Sequence, residues 1–193
     1  MKNKKYYALG LVGALSASML TATPVFAAHT SGGSTEFTYT AGQSTGTDPD
    51  DGSLADWTVD YPVKVVFDDA TINAASGRTM NFKLYNTNES GAATTAYTGS
   101  SAVTVTLKSH AQTDKTDGIK MMNGGAAKDN VVMSITGDDG TTAIATNKDT
   151  DVMTLDSTDN ALTSKAYLKN NSGAEKGQTY TQTLTWIFED SDI

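Results

Sequence analysis

The chain has 193 residues, with 14 basic against 22 acidic side chains and no cysteine. The negative surplus repels phosphate backbones and anionic headgroups, which argues against nucleic acid and lipid surfaces as partners. Without cysteine the fold must rest on core packing and ladder hydrogen bonds, and thiolate-held metal centres are excluded.

In chain order, Lys2, Lys4 and Lys5 open the sequence, an apolar stretch from Ala8 to Leu20 follows, and Val25-Phe26-Ala27 closes it. The apolar stretch is too short to span a bilayer, and the closing triplet has the small-x-small pattern of a signal-peptidase site. Residues 1–27 are therefore expected to be an export signal, with no membrane insertion after cleavage. Losing its three lysines leaves 11 basic against 22 acidic residues in the mature chain. No cysteine follows Ala27 for lipid attachment and no LPxTG-type sorting motif precedes Ile193. Retention at a cell surface is accordingly expected to be non-covalent.

Residues 28–35, small and polar, are expected to be a flexible leader, and 36–193 a single domain. Phe37 and Tyr39 alternate with polar neighbours in a first strand, and Gly42 to Ser53 has loop composition. Trp57, Val59, Tyr61, Val63, Val65 and Phe67 occupy alternate positions, which predicts one long, bent strand with its apolar side inward and its other side toward water. Pro62 within it is expected at an edge or bulge. Met80, Phe82 and Leu84 predict a further strand, Asn86 to Ser101 a long polar loop, and Val103, Val105 and Leu107 another strand. Short strands are expected at Ile119 to Met122, Val131 to Ile135 and Val152 to Leu155. Gly137-Asp138-Asp139-Gly140 reads as a hairpin turn into Thr141 to Ala145. Residues 70–76 or 159–168 could accommodate a helical turn. Tyr180, Leu184, Trp186 and Phe188 share one parity of a strong final strand. Roughly eight to ten strands at short spacing, with no apolar period of about 3.6 residues, predict an all-β fold: a single antiparallel β-sandwich, immunoglobulin-like in type.

Little in the sequence points to catalysis. The imidazoles are His29 and His110; no strained nucleophile turn accompanies them, so no catalytic residue, metal ligand or cofactor is assigned. Asp48, Asp50 and Asp51 before Gly52, and Asp138 and Asp139 before Gly140, read as turns. The first cluster departs from a calcium loop in the place of its glycine and in having Val59 where the bidentate Glu belongs. Lys64 and Lys83 are eligible amines for a self-formed isopeptide bond, although a lysine facing water is the simpler reading. Tyr85, Tyr97 and Tyr167 could stack on a sugar ring if at least two shared a face.

Lys176 to Asp190, KGQTYTQTLTWIFED, resembles the closing strand of WxL-domain proteins, the non-covalently attached cell-wall proteins of Gram-positive bacteria. Gly177, Tyr180, Leu184, Thr185 and Trp186 occupy the family's places, and Phe188 replaces its leucine. The family's earlier Trp-x-Leu motif has its counterpart in Trp57-Thr58-Val59, which departs at the last position. The resemblance implies a WxL-like β-sandwich, secreted and held on the cell surface or wall, with Trp57, Val59, Trp186 and Phe188 as the wall-binding or partner-binding positions. Their core parity gives the competing expectation that they fill the interior. The function expected is non-enzymatic adhesion to peptidoglycan or to a companion surface protein. The alternative is a subunit of a surface fibre or biofilm matrix that self-associates by β-strand addition, donating residues 28–40.

Overall fold

The computed structural model describes residues 7–8, 30–36, 41–47, 54–68 and 70–191. Thirteen strands run through them, and no helix: β1 (Tyr7–Ala8), β2 (Thr30–Glu36), β3 (Ala41–Thr47), β4 (Leu54–Pro62), β5 (Arg78–Thr87), β6 (Ala93–Ala96) and β7 (Ala102–Leu107) come first. They are followed by β8 (Thr113–Asp114), β9 (Gly118–Asn123), β10 (Ala126–Ile135), β11 (Thr150–Leu155), β12 (Ala161–Asn170) and β13 (Thr183–Ser191). Ten of them are six residues or longer, in agreement with the all-β expectation.

The strands are joined in the order β11-β7-β13-β2-β1-β3-β4-β5-β12-β10-β9-β8, with β6 paired to β5 off this path. Every strand pairing is antiparallel except the parallel pair of Tyr7 with Thr30. The sheet curls so that β4 and β5 face β13 across a common interior, the arrangement of a sandwich. A bridge between Met122 and Thr181 ties β9 to the approach to β13.

Alternation explains why these segments are strands. Met80, Phe82 and Leu84 of β5, Val103, Val105 and Leu107 of β7, and Leu184, Trp186 and Phe188 of β13 are all buried, while their neighbours in sequence are exposed or half-buried. Removing a large apolar side chain from water contributes about 1.5–3 kcal/mol, so these rows carry much of the stability. The interior continues through Ile119, Met133, Ile135 and Leu155.

Several expectations are corrected. Residues 30–35 of the segment read as a leader form β2 together with Glu36, paired to β13 from Thr30↔Glu189 to Glu36↔Thr183. Part of the segment read as loop from Gly42 onward is β3, paired to β4. Both are rich in Gly, Ser and Thr, and the ladder that holds them is a main-chain property that composition hides. The strand of Trp57 ends at Pro62, opposite Ala41, because proline can donate no further rung. Beyond it Val65 is still buried and Val63 and Phe67 still pack on the core. Thr58 of β4 is also buried, between Thr45 of β3 and Tyr85 of β5, so that side of the strand does not simply face water. Residues 159–168 fall largely in β12, and 70–76 form turns, so neither is helical. The hairpin turn at Gly137 to Gly140 is present, and Thr141 to Ala145 returns along β10 without forming a strand of its own. It is held by the N–H of Gly137 to the carbonyl of Thr142 and the N–H of Ile144 to the carbonyl of Ile135, each at 2.9 Å, and by the bridge Thr136↔Ala143. The polar loop after β5 contains β6. Phe37, Tyr39, Asp48, Asp50 and Asp51 lie outside the described residues.

Candidate functional site

The two tryptophan segments lie far apart in sequence and meet in the interior. The indole Nε1 of Trp57 donates to Asp190 Oδ2 at 2.9 Å. Tyr61, two pairs of residues further along β4, stacks at a tilt on Phe188, with ring centroids 5.3 Å apart. Trp186 meets Phe82 of β5 edge to face at 5.2 Å. Because Trp57 goes with Asp190 and Tyr61 with Phe188, β4 and β13 cross the core in opposite directions. Aromatic pairs of this geometry contribute about 0.5–1.5 kcal/mol beyond the area they bury.

Trp57, Val59, Trp186 and Phe188 are each 0 % exposed. In the folded chain a ligand approaching from outside touches none of them; they shape the sheets on which any outer contact is made. Asp190, which the sequence reading passed over, is 6 % exposed. Its signal was available, since Asp190 shares the parity of Leu184, Trp186 and Phe188, and a carboxylate on a core parity requires a donor.

Gln182, on the same parity, is satisfied in a similar way. Its amide donates to the carbonyl of Lys120 at 2.7 Å and its Oε1 accepts from the main-chain N–H of Thr183 at 3.0 Å. The polar interruption in the closing strand is therefore a link between β9 and β13.

His110 is committed to the main chain. Its Nδ1 accepts from the N–H of Gln112 at 3.0 Å, which places the proton on Nε2, and Nε2 lies 3.2 Å from the carbonyl of Thr183. Burial pushes its pKa below the ordinary value, against the raising effect of the Thr183 carbonyl. With both ring nitrogens engaged, His110 has no free position for activating a hydroxyl.

The acidic turns are likewise internally satisfied where they are described. Asp139 accepts from the N–H groups of Thr141 and Thr142, each at 2.8 Å, and Gly140 takes a positive φ of 65°. The Thr142 side chain and these two N–H groups hold the Asp139 carboxyl far below the usual carboxylate range. Among the described residues no three His, Cys, Asp or Glu side chains are grouped to hold a metal ion.

The three tyrosines do not form a platform. Tyr97 is 1 % exposed, its hydroxyl accepting from the N–H of Ser101 at 3.3 Å. Tyr85 and Tyr167 are half-buried at opposite ends of the β5–β12 ladder, which runs from Lys83↔Ala161 to Arg78↔Ala166. At about 3.3 Å per residue that register separates them by roughly 26 Å, much more than one sugar ring. Lys83 is exposed on β5, and Lys64 lies just past the end of β4.

Comparison with protein-family models, with curated proteins and with solved structures found no match to this chain.

Proposed function

We propose that this chain is a secreted, non-enzymatic β-sandwich of a Gram-positive cell surface, retained by non-covalent contact with peptidoglycan or with a companion surface protein. The observation that carries the reading is the bond from Trp57 to Asp190. It joins the two segments that resemble the paired tryptophan motifs of WxL-domain proteins, so motifs remote in sequence act as one structural unit. The export signal read in residues 1–27 and the engagement of both His110 nitrogens by the main chain support the same reading.

The burial of the tryptophans refines the mechanism. They hold β4 and β5 against β13, and the outer faces of those strands make the contact. The test is co-sedimentation of purified residues 28–193 with isolated peptidoglycan, followed by release in concentrated chaotrope. Binding that the chaotrope reverses is the expected result. Complete recovery of folded protein in the supernatant would overturn the peptidoglycan form of the proposal and leave the companion protein to be sought among wall extracts.

A further inference from the structure

The strand beside the closing tryptophan strand is unusual in what holds it. β2 pairs with β13 over seven residues without a register shift, from Glu36↔Thr183 to Thr30↔Glu189. Its sequence, TSGGSTE, contains no apolar residue. On the opposite edge of β13, β7 brings Val103, Val105 and Leu107 into the core. The apolar side chains of β13 find cover in other strands, Trp186 against Phe82 and Phe188 against Tyr61.

The described attachment of β2 is the main-chain ladder to β13, which an identical strand from another molecule supplies equally well. Cleavage after Ala27, as the sequence predicts, makes β2 the first strand of the mature chain and removes the parallel pair that Thr30 makes with Tyr7. A terminal strand without an apolar anchor can leave its place without dismantling the core.

We propose that β2 is an exchangeable strand: β2 of one copy lies along β13 of a second copy in the register it has within its own chain. Reciprocal exchange closes a dimer, and exchange that does not close extends into a linear assembly. Either way Ser34 of one molecule comes to lie opposite Thr185 of another, as it does within one chain. The partner is a second copy of this protein, and the inference is independent of wall binding.

The chain has no cysteine, so introduced pairs report cleanly. Residues directly opposite on antiparallel strands have Cβ atoms about 4.5–5.5 Å apart, close enough for a disulfide after slight adjustment. Protein carrying Ser34→Cys is mixed with protein carrying Thr185→Cys over a range of concentrations, oxidised without wall material, and separated under non-reducing conditions. The expected product, from equal amounts of the two proteins, is a mixed disulfide dimer that exceeds the two symmetric dimers taken together, increasingly so as concentration rises. The double variant Ser34→Cys/Thr185→Cys, oxidised when dilute, should close within one chain and then stay monomeric when concentrated. Mixed dimers no more abundant than the two symmetric dimers together, with the double variant still closing internally, would show β2 to be fixed in its own chain. A double variant that cannot close would overturn the register itself. Because no peptidoglycan is present, neither result depends on wall retention.

Discussion

Trp57 and Asp190 are 133 residues apart in the chain and share a buried hydrogen bond of 2.9 Å between β4 and β13. A lost partner there leaves a polar group in the interior without water to replace it. Asp190→Leu should therefore destabilise the fold by about 1–3 kcal/mol, and Asp190→Asn, which keeps an acceptor oxygen, by less. Trp57→Phe combined with Asp190→Leu should cost less than the two single losses added together, because donor and acceptor disappear at once. Urea unfolding followed by circular dichroism measures all four proteins; strict additivity would deny the coupling.

Trp186 is wholly covered and packs on Phe82, so any part it has in the proposed wall retention acts through the fold. Trp186→Ala should cost about 3–5 kcal/mol, with wall binding lost in step with native structure. Trp186→Phe fills more of the space and should keep both fold and binding. Co-sedimentation with peptidoglycan, run beside near-ultraviolet circular dichroism, separates the two effects. A folded Trp186→Phe protein that no longer binds would mean that the indole meets the ligand directly.

What the sequence disclosed follows from which forces leave a pattern in side chains. Met80-Phe82-Leu84, Val103-Val105-Leu107 and Leu184-Trp186-Phe188 alternate because one side of each strand is covered, and each proved to be core. β2 and β3 left no such pattern, since a strand of Gly, Ser and Thr can be held by its ladder alone. β12 was obscured by Ala161 and Ala166 and by Ser164, which is buried with its hydroxyl donating to the carbonyl of Thr136 at 2.8 Å. The export signal expected in residues 1–27 and the resemblance at the closing strand rest on sequence motifs alone. The pairing of Trp57 with Asp190 was not, because parity assigns a residue to an interior without saying what it meets there.

Gly99 sits beneath the ring of Tyr97. A Cβ at this position would lie 2.2 Å from the Tyr97 hydroxyl oxygen and 2.4 Å from Cζ. The tyrosine is buried, with Ser101 donating to its hydroxyl, so relief requires moving a covered ring. Gly99→Ala should destabilise by about 1–3 kcal/mol, as overpacking does. Gly124, which would meet nothing within 4 Å, is the control for space alone, although its φ of 57° adds some strain of its own. Thermal unfolding of the two alanine variants should place Gly99→Ala lower; equal melting temperatures would show that the ring over Gly99 yields freely.

The environment of His110 gives stability a pH dependence. Burial disfavours the imidazolium, so the folded pKa lies below the unfolded one, which is near 6.5. As pH falls through that unfolded value the unfolded chain takes up the proton first, and stability declines until the folded pKa is passed. Protonation also places a second N–H where Nδ1 now accepts from Gln112. Asp139 and Asp149, held low by hydrogen bonds, lose their contributions only in the carboxylate range, and Asp56, raised by burial, acts there in the opposite sense. Urea midpoints between about pH 8 and pH 5 should therefore fall for the parent protein and stay nearly level for His110→Gln. The chain's other histidine, His29, remains in both proteins and cancels in the comparison. Parallel slopes for the two proteins would remove His110 as the source.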